Sequence, residues 1–239
     1  MSSQQAVTEM FDDISPRYDF LNHLLSFHID KIWRRKTSRW VAKCQPTAIL
    51  DVATGTADLA IRMAKDNPTA AITGVDLSEK MLELGRQKIT KKKLDQRITL
   101  LTADAMHLPF SDNSFDAVTV AFGVRNFEDL ETGLKEMFRV TKDDGCIAIL
   151  EFSHPQKGLV KWPYRFYSKR ILPLIGRRLS KHQTAYDYLP ASIEAFPKSD
   201  TFIHILKQLG LIEIKGKPFC GGIATLYFGP IQKKPAIPQ

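Results

Sequence analysis

The stretch Ile49-Leu50-Asp51-Val52-Ala53-Thr54-Gly55-Thr56-Ala57-Asp58-Leu59 passes from an aliphatic strand pattern, through small residues, into the start of a helix. In an open α/β sheet, ligands bind in the crevice beyond the carboxyl end of such a strand. A dinucleotide fingerprint, G-x-G-x-x-G, would need glycine at Ala53 and Asp58 so that backbone could approach a pyrophosphate. Both positions are wrong for it, which discounts NAD and FAD. No Gly-Lys-Ser/Thr follows, which excludes a Walker loop.

The next two strand ends sharpen the reading. Asp76, 25 residues after Asp51, closes the run Ala71–Val75 and can accept hydrogen bonds from both hydroxyls of a ribose. Asp104 follows the run Arg97–Leu101 and can accept from an adenine amino group, while the Ala105 amide donates to a ring nitrogen. Between them, Gly55 and Thr56 keep the first loop small. Three acids at three successive strand ends suit a cationic, ribose-bearing ligand without phosphates, and point to S-adenosylmethionine. The alternative is that each acid merely caps the helix after it.

Outward from this core, the runs Ala48–Val52, Ala71–Val75, Arg97–Leu101, Ala117–Ala121 and Cys146–Glu151 alternate with helical patterns over 57–66, 78–93 and 127–141. Such alternation predicts an α/β, doubly wound, mostly parallel sheet. A helix over 199–209 and strands at Leu211–Lys215 and Ile223–Phe228 follow, the last two close enough for an antiparallel hairpin. Residues 1–45 read as helical, interrupted at Ser15-Pro16, and 231–239 as a flexible tail.

Composition is that of an ordinary soluble domain, 44% hydrophobic and 25% charged over 239 residues. No apolar run approaches the ~18 residues of a membrane span, and the first residues show no signal or transit pattern, so a cytoplasmic location is expected. Cys44, Cys146 and Cys220 are widely spaced and read as buried free thiols, and no spacing suggests a metal site. The net charge of +8 is concentrated: 152–186 holds eight basic residues and no acid, leaving the remainder neutral.

Three further stretches carry a resemblance. Tyr18-Asp19 through Trp33, Phe122-Gly123-Val124-Arg125-Asn126, and Arg139-Val140 through Ser153 resemble, in order, signatures of the ubiquinone/menaquinone C-methyltransferase family (UbiE/MenG), and the likeness runs from about Met10 to Gly229. It implies a class I SAM-dependent, Rossmann-like methyltransferase with a seven-stranded, mostly parallel sheet ending in an antiparallel hairpin. An N-terminal helical lid over 1–45 and a methyltransferase domain over 46–230 are implied with it, the latter carrying a helical insertion, 155–195, after strand 5. His28 and Asp30 stand where the family usually has Gly and His. Ala53 and Ala57 replace loop glycines, and Ala121 replaces a cofactor-contacting Ser, leaving a backbone contact.

The implied reaction is methyl transfer to a ring carbon of a polyprenyl naphthoquinol, demethylmenaquinol to menaquinol, without a metal. The alternatives are a polyprenyl benzoquinol of the ubiquinone pathway or another small aromatic acceptor. Arg125 is expected to stabilise a developing phenolate and Asn126 to orient the hydroxyl or a water. The competing reading pairs Arg125 structurally with Asp129, Glu131 or Asp116. Tyr18 and Asp19 read either as part of the lid or as ordinary helix packing, and His107 as a loop histidine. The stretch after the fourth run lacks an Asn/Asp-Pro-Pro-aromatic motif and no cysteine follows proline, which argues against a nucleic-acid methyltransferase and against nucleic acid as a partner.

Lys157, Lys161, Arg165 and Lys169 recur every four residues, beside an apolar stripe from Val160 to Leu174. Such an element over 157–181 would give peripheral contact with an anionic membrane at its inner face, or would only roof the pocket. The same stripe could pair two copies as a homodimer.

Overall fold

The computed structural model describes residues 7–10, 12, 15, 26, 28–153, 155, 183–211 and 213–231. The basic element 157–181, Tyr18, Asp19 and the tail beyond Ile231 lie outside the described residues. Strands β1 (Ala48–Val52), β2 (Ala71–Asp76), β3 (Ile98–Thr102), β4 (Phe115–Ala121), β5 (Thr141–Phe152), β6 (Lys215–Phe219) and β7 (Ala224–Pro230) form one sheet in the order β3-β2-β1-β4-β5-β7-β6. The first five run parallel; β7 is antiparallel to both β5 and β6. This is the expected mostly parallel sheet closed by an antiparallel hairpin.

The helices are α1 (Ile29–Val41), α2 (Asp58–Asp66), α3 (Glu79–Lys91), α4 (Leu130–Val140), α5 (Gln183–Ala195) and α6 (Ser199–Gln208). Ser78 caps α3 by accepting from the Met81 amide, and Asp129 caps α4 by accepting from the Glu131 and Thr132 amides. Both faces of the sheet are covered. Ile49, Ile72 and Leu150 pack with Trp33, Met63 and Leu82 on one side, while Val52, Val118 and Ile149 pack with Leu134, Met137 and Phe202 on the other. Burial on two faces is why these strands are continuous apolar runs rather than alternating patterns.

Strand order reverses between β1 and β4, and the loops at their carboxyl ends therefore diverge to open a crevice. Two expectations need correction. The strand expected at Leu211–Lys215 lies instead at Lys215–Phe219; Leu211 and Ile214 are buried in the connection that leads to it. The true strand is an edge, Lys-Gly-Lys-Pro-Phe, whose first four residues are exposed. Lysines and a proline protect such an edge from pairing, and they also hide it from a hydropathy reading. Of the three cysteines expected to be buried, only Cys146 is; Cys44 and Cys220 are exposed. Among the described residues, no helix is long and apolar enough to cross a membrane.

Candidate active site

A cleft opens at the carboxyl ends of β1, β2 and β4. Its walls include Ala53, Gly55 and Thr56 from the loop after β1, Asp76 and Ser78 after β2, Asp104 and Ala105 after β3, and Ala121, Gly123 and Asn126 after β4. Seven of the nine residues expected at the site thus meet there: Gly55, Thr56, Asp76, Asp104, Ala105, Ala121 and Asn126. Asp51 and Arg125 do not line it.

The loop after β1 needs unusual backbone to turn within so few residues. Ala53, Gly55 and Ala57 all adopt left-handed φ, at 50°, 56° and 64°. For a residue with a Cβ this conformation costs about 1–2 kcal/mol, so the surrounding structure must impose it. Hydrogen bonds do so. The Thr54 amide donates to the Val75 carbonyl at 2.9 Å, the Gly55 amide to Asp76 Oδ2 at 2.8 Å, and Lys88 Nζ to Thr56 Oγ1 at 3.0 Å and to Asp58.

Asp51 organises this loop from behind. It is buried, and its two oxygens accept from Thr54 Oγ1 and Thr119 Oγ1, each at 2.7 Å. Burial pushes its carboxyl up to about 6, against the lowering effect of the two hydroxyls. Through these two hydroxyls Asp51 fastens the loop to β4. Asp76, by contrast, faces the cleft while accepting from the Gly55 and Ser78 amides, and burial raises its carboxyl too. Asp104 accepts from the Met106 amide at 3.0 Å.

The donor and acceptor set suits the ligand inferred from the strand ends. Asp58, Asp76 and Asp104 give the cleft three acceptors, and Arg34 is its only cationic side chain among the described lining residues. Arg34 is itself paired with Asp30 at 2.6 Å and stacked over Phe122. Such a wall favours hydroxyls and positive charge over phosphate. Helical residues Val7 and Thr8 also line the cleft, and the Ser78 hydroxyl donates to Asp12.

On the opposite rim, Phe122 takes φ 61°, and residues Val124–Asn126 form a single 3₁₀ turn. Arg125 folds back beneath this turn. Its side chain is 6% exposed and pairs at 2.8 Å with Glu151, whose side chain is fully buried; it also donates to the Phe122 carbonyl. The other Glu151 oxygen accepts from the Arg125 amide at 3.2 Å. Asp129, Glu131 and Asp116, the partners weighed from sequence, are engaged in the α4 cap, with Lys135 and with Lys142 respectively. Arg125 is thus a neutralised cation behind the rim, while Asn126 reaches the cleft and accepts a hydrogen bond from Tyr188 Oη at 3.0 Å.

Sequence reading missed Arg34, Asp58, Ser78, Tyr188 and Glu151. The i,i+4 spacing of Asp30 and Arg34 was a usable signal for the first. No local signal marks the Arg125–Glu151 or Asn126–Tyr188 pairings, whose members lie 26 and 62 residues apart. His107 is highly exposed and faces Asp104 at 3.8 Å, as a loop histidine would.

Comparison with known proteins agrees with this geometry. A demethylmenaquinone methyltransferase of Bacteroides fragilis is 44% identical over 93% of this chain and 91% of its own length. A ubiquinone/menaquinone biosynthesis C-methyltransferase UbiE of Geotalea uraniireducens is 46% identical over 94% and 96%. Among solved structures, an S-adenosyl-L-methionine-dependent methyltransferase described as putative, from Methanococcus maripaludis, superposes with a TM-score of 0.61 at 18% identity, covering 99% of this chain and 97% of that one. The [4+2]-cyclase SpnF superposes at 0.66 and 20% identity, covering 93% and 78%, a reminder that this fold alone does not fix a reaction. Residues 1–230 match the ubiE/COQ5 methyltransferase family, and the chain belongs to it.

Proposed function

We propose that this chain transfers the methyl group of S-adenosylmethionine to a ring carbon of a polyprenyl naphthoquinol, converting a demethylmenaquinol to the menaquinol. The observation that carries this reading is the convergence of Asp76, Asp104 and Asn126 on one cleft in a chain 44% identical to a demethylmenaquinone methyltransferase. When bound, S-adenosylmethionine supplies an activated methyl on a sulfonium and leaves as S-adenosylhomocysteine. Asp76 would hold the ribose hydroxyls, Asp104 and the Ala105 amide the adenine edge, and Gly55, Thr56 and Ala121 the space beside them; Asp51 would act through the loop it fastens.

The acceptor must be the reduced ring, because ionisation of its hydroxyl pushes electron density to the adjacent carbon, and the ring proton then departs. The protein's task is chiefly to position the two partners and exclude water. Asn126, with its oxygen engaged by Tyr188, presents its amide nitrogen to orient the ring hydroxyl. Arg125, neutralised by Glu151, would act by holding the turn that carries Asn126. Docking of 157–181 on an anionic membrane, and pairing of two copies through the same element, belong to this proposal.

The test is an in vitro assay of reduced naphthoquinols and benzoquinols with labelled methyl donor. Transfer to the naphthoquinol is expected, and Asn126→Ala should lower kcat by roughly 10–100-fold, as for loss of one transition-state hydrogen bond. Transfer to neither quinol overturns the reading.

A further inference from the structure

A second cavity, about 400 Å³, lies on the far side of the turn that carries Arg125 and Asn126. Its walls are Val124, Arg125 and Phe127 from the turn, Leu130 at the start of α4, and Tyr188, Ala191, Ser192 and Ala195 along α5, closed by Phe196 and Pro197. Phe127 lines both this cavity and the cofactor cleft. The partition between them is therefore one short turn, with Asn126 on the cleft side hydrogen-bonded to Tyr188 on the other.

The chemistry of the walls is apolar. Arg125 is the one charged side chain among the described lining residues, and Glu151 neutralises it from beneath, so an occupant would meet there aromatic and aliphatic carbon with two hydroxyls. Arg125 Nε is buried and has no hydrogen-bond partner among the described residues. Ala191 and Ala195, one helical turn apart, share a face of α5 and line the cavity with methyl groups alone. The cavity's volume falls within the range of about 300–1,000 Å³ usual for small-ligand sites.

We infer that this cavity takes the first isoprenoid units of the acceptor, with the ring held at Asn126 and the chain leaving past Phe127 between the turn and α5. The inference rests on the proposed acceptor being a prenylated quinol. It follows from a geometric need: a ring presented to a methyl donor deep in one cleft must send a water-averse tail elsewhere, and this apolar space adjoins the cleft through a shared side chain. Burial of the first few tail carbons would favour a prenylated acceptor over a tail-less one.

The test compares kcat/KM for a prenylated naphthoquinol and for its tail-less counterpart, in the wild-type protein and in Ala191→Phe and Ala195→Phe, with folding checked by thermal melting. The wild type is expected to prefer the prenylated acceptor, and the variants to lose about tenfold of that preference, the equivalent of two buried methylenes. Equilibrium binding of a short-chain prenylated quinone, followed without turnover, should weaken in parallel. A wild type indifferent to the tail, or folded variants with unchanged preference and binding, overturns the inference while leaving the methyltransferase reading intact. Absence of transfer to any quinol, with the cofactor product still bound, brings down the acceptor assignment and this inference with it.

Discussion

The two loops that frame the cleft, after β1 and after β4, solve one geometric problem by opposite electrostatic means. Each must turn sharply at a strand end, and each uses left-handed backbone at non-glycine residues: Ala53 and Ala57 in one, Phe122 in the other. Each is fastened from beneath by a buried carboxylate. Under the first loop, Asp51 is held by threonine hydroxyls, and its carboxyl rises to about 6. Under the second, Glu151 is held by a guanidinium at 2.8 Å. Removing the carboxylate charge strands no paired cation under the first loop, but it leaves the Arg125 guanidinium without its partner under the second. The two loops should therefore respond differently to the same neutralising substitution.

The largest effect is expected at the rim. Glu151→Gln removes the charge and leaves Arg125 buried without compensation, which costs about 3–5 kcal/mol. Urea unfolding at neutral pH measures this directly. A loss under 1 kcal/mol would mean that shape, and not charge, fastens the turn.

Asp51→Asn tests the other side, and its signature is a dependence on pH. The carboxyl is raised above its unfolded value of 3.8, so the stability associated with the protonated form is full below that value and lost as pH rises through about 6. The wild type should lose roughly 3 kcal/mol across this window from Asp51 alone, at about 1.4 kcal/mol per unit. In Asp51→Asn that share of the slope should be absent, Asp76 keeping its own, with the variant gaining on the wild type toward neutrality. Parallel profiles for the two proteins would show that Asp51 is ionised at little cost.

The contrast also explains what could be read from sequence. β1 emerges with the expected bounds, and the three strand-end acids are recognisable because a strand end and its loop are adjacent in the chain. An acid at a strand end looks the same whether it faces a ligand or, as here, turns inward to Thr119 on a strand 68 residues away. The Arg125–Glu151 pair was invisible for the same reason: sequence reading searched the nearest acids, whereas the sheet brings in the end of the next strand. The departures from the family's glycines are more instructive. His28, Ala53 and Ala57 stand where the resemblance led us to expect glycine, and all three have left-handed φ, the conformation glycine adopts most readily.

The loops after β1 and β4 are interdependent where they touch. Gly123 has φ −115°, which any residue can adopt, so conformational freedom is not what requires glycine there. Close approach is: a Cβ at position 123 would come within 2.5 Å of the Ala53 Cβ, and next within 3.2 Å of a Val120 methyl. The methyl that this chain carries at Ala53 therefore occupies the space that Gly123 leaves. Gly123→Ala alone should cost about 1–3 kcal/mol through overpacking. Ala53→Gly alone should change stability by less than about 1 kcal/mol, because relief of the left-handed alanine is offset by the greater freedom of glycine in the unfolded chain. Combined, the two changes should cost less than their sum by about 1 kcal/mol, with the Val120 contact retaining part of the penalty. A thermodynamic cycle from urea unfolding reads this coupling. Strict additivity would mean that the loops bend apart to admit the extra methyl, and that the cleft between them is set by each loop's own fastening and not by their contact.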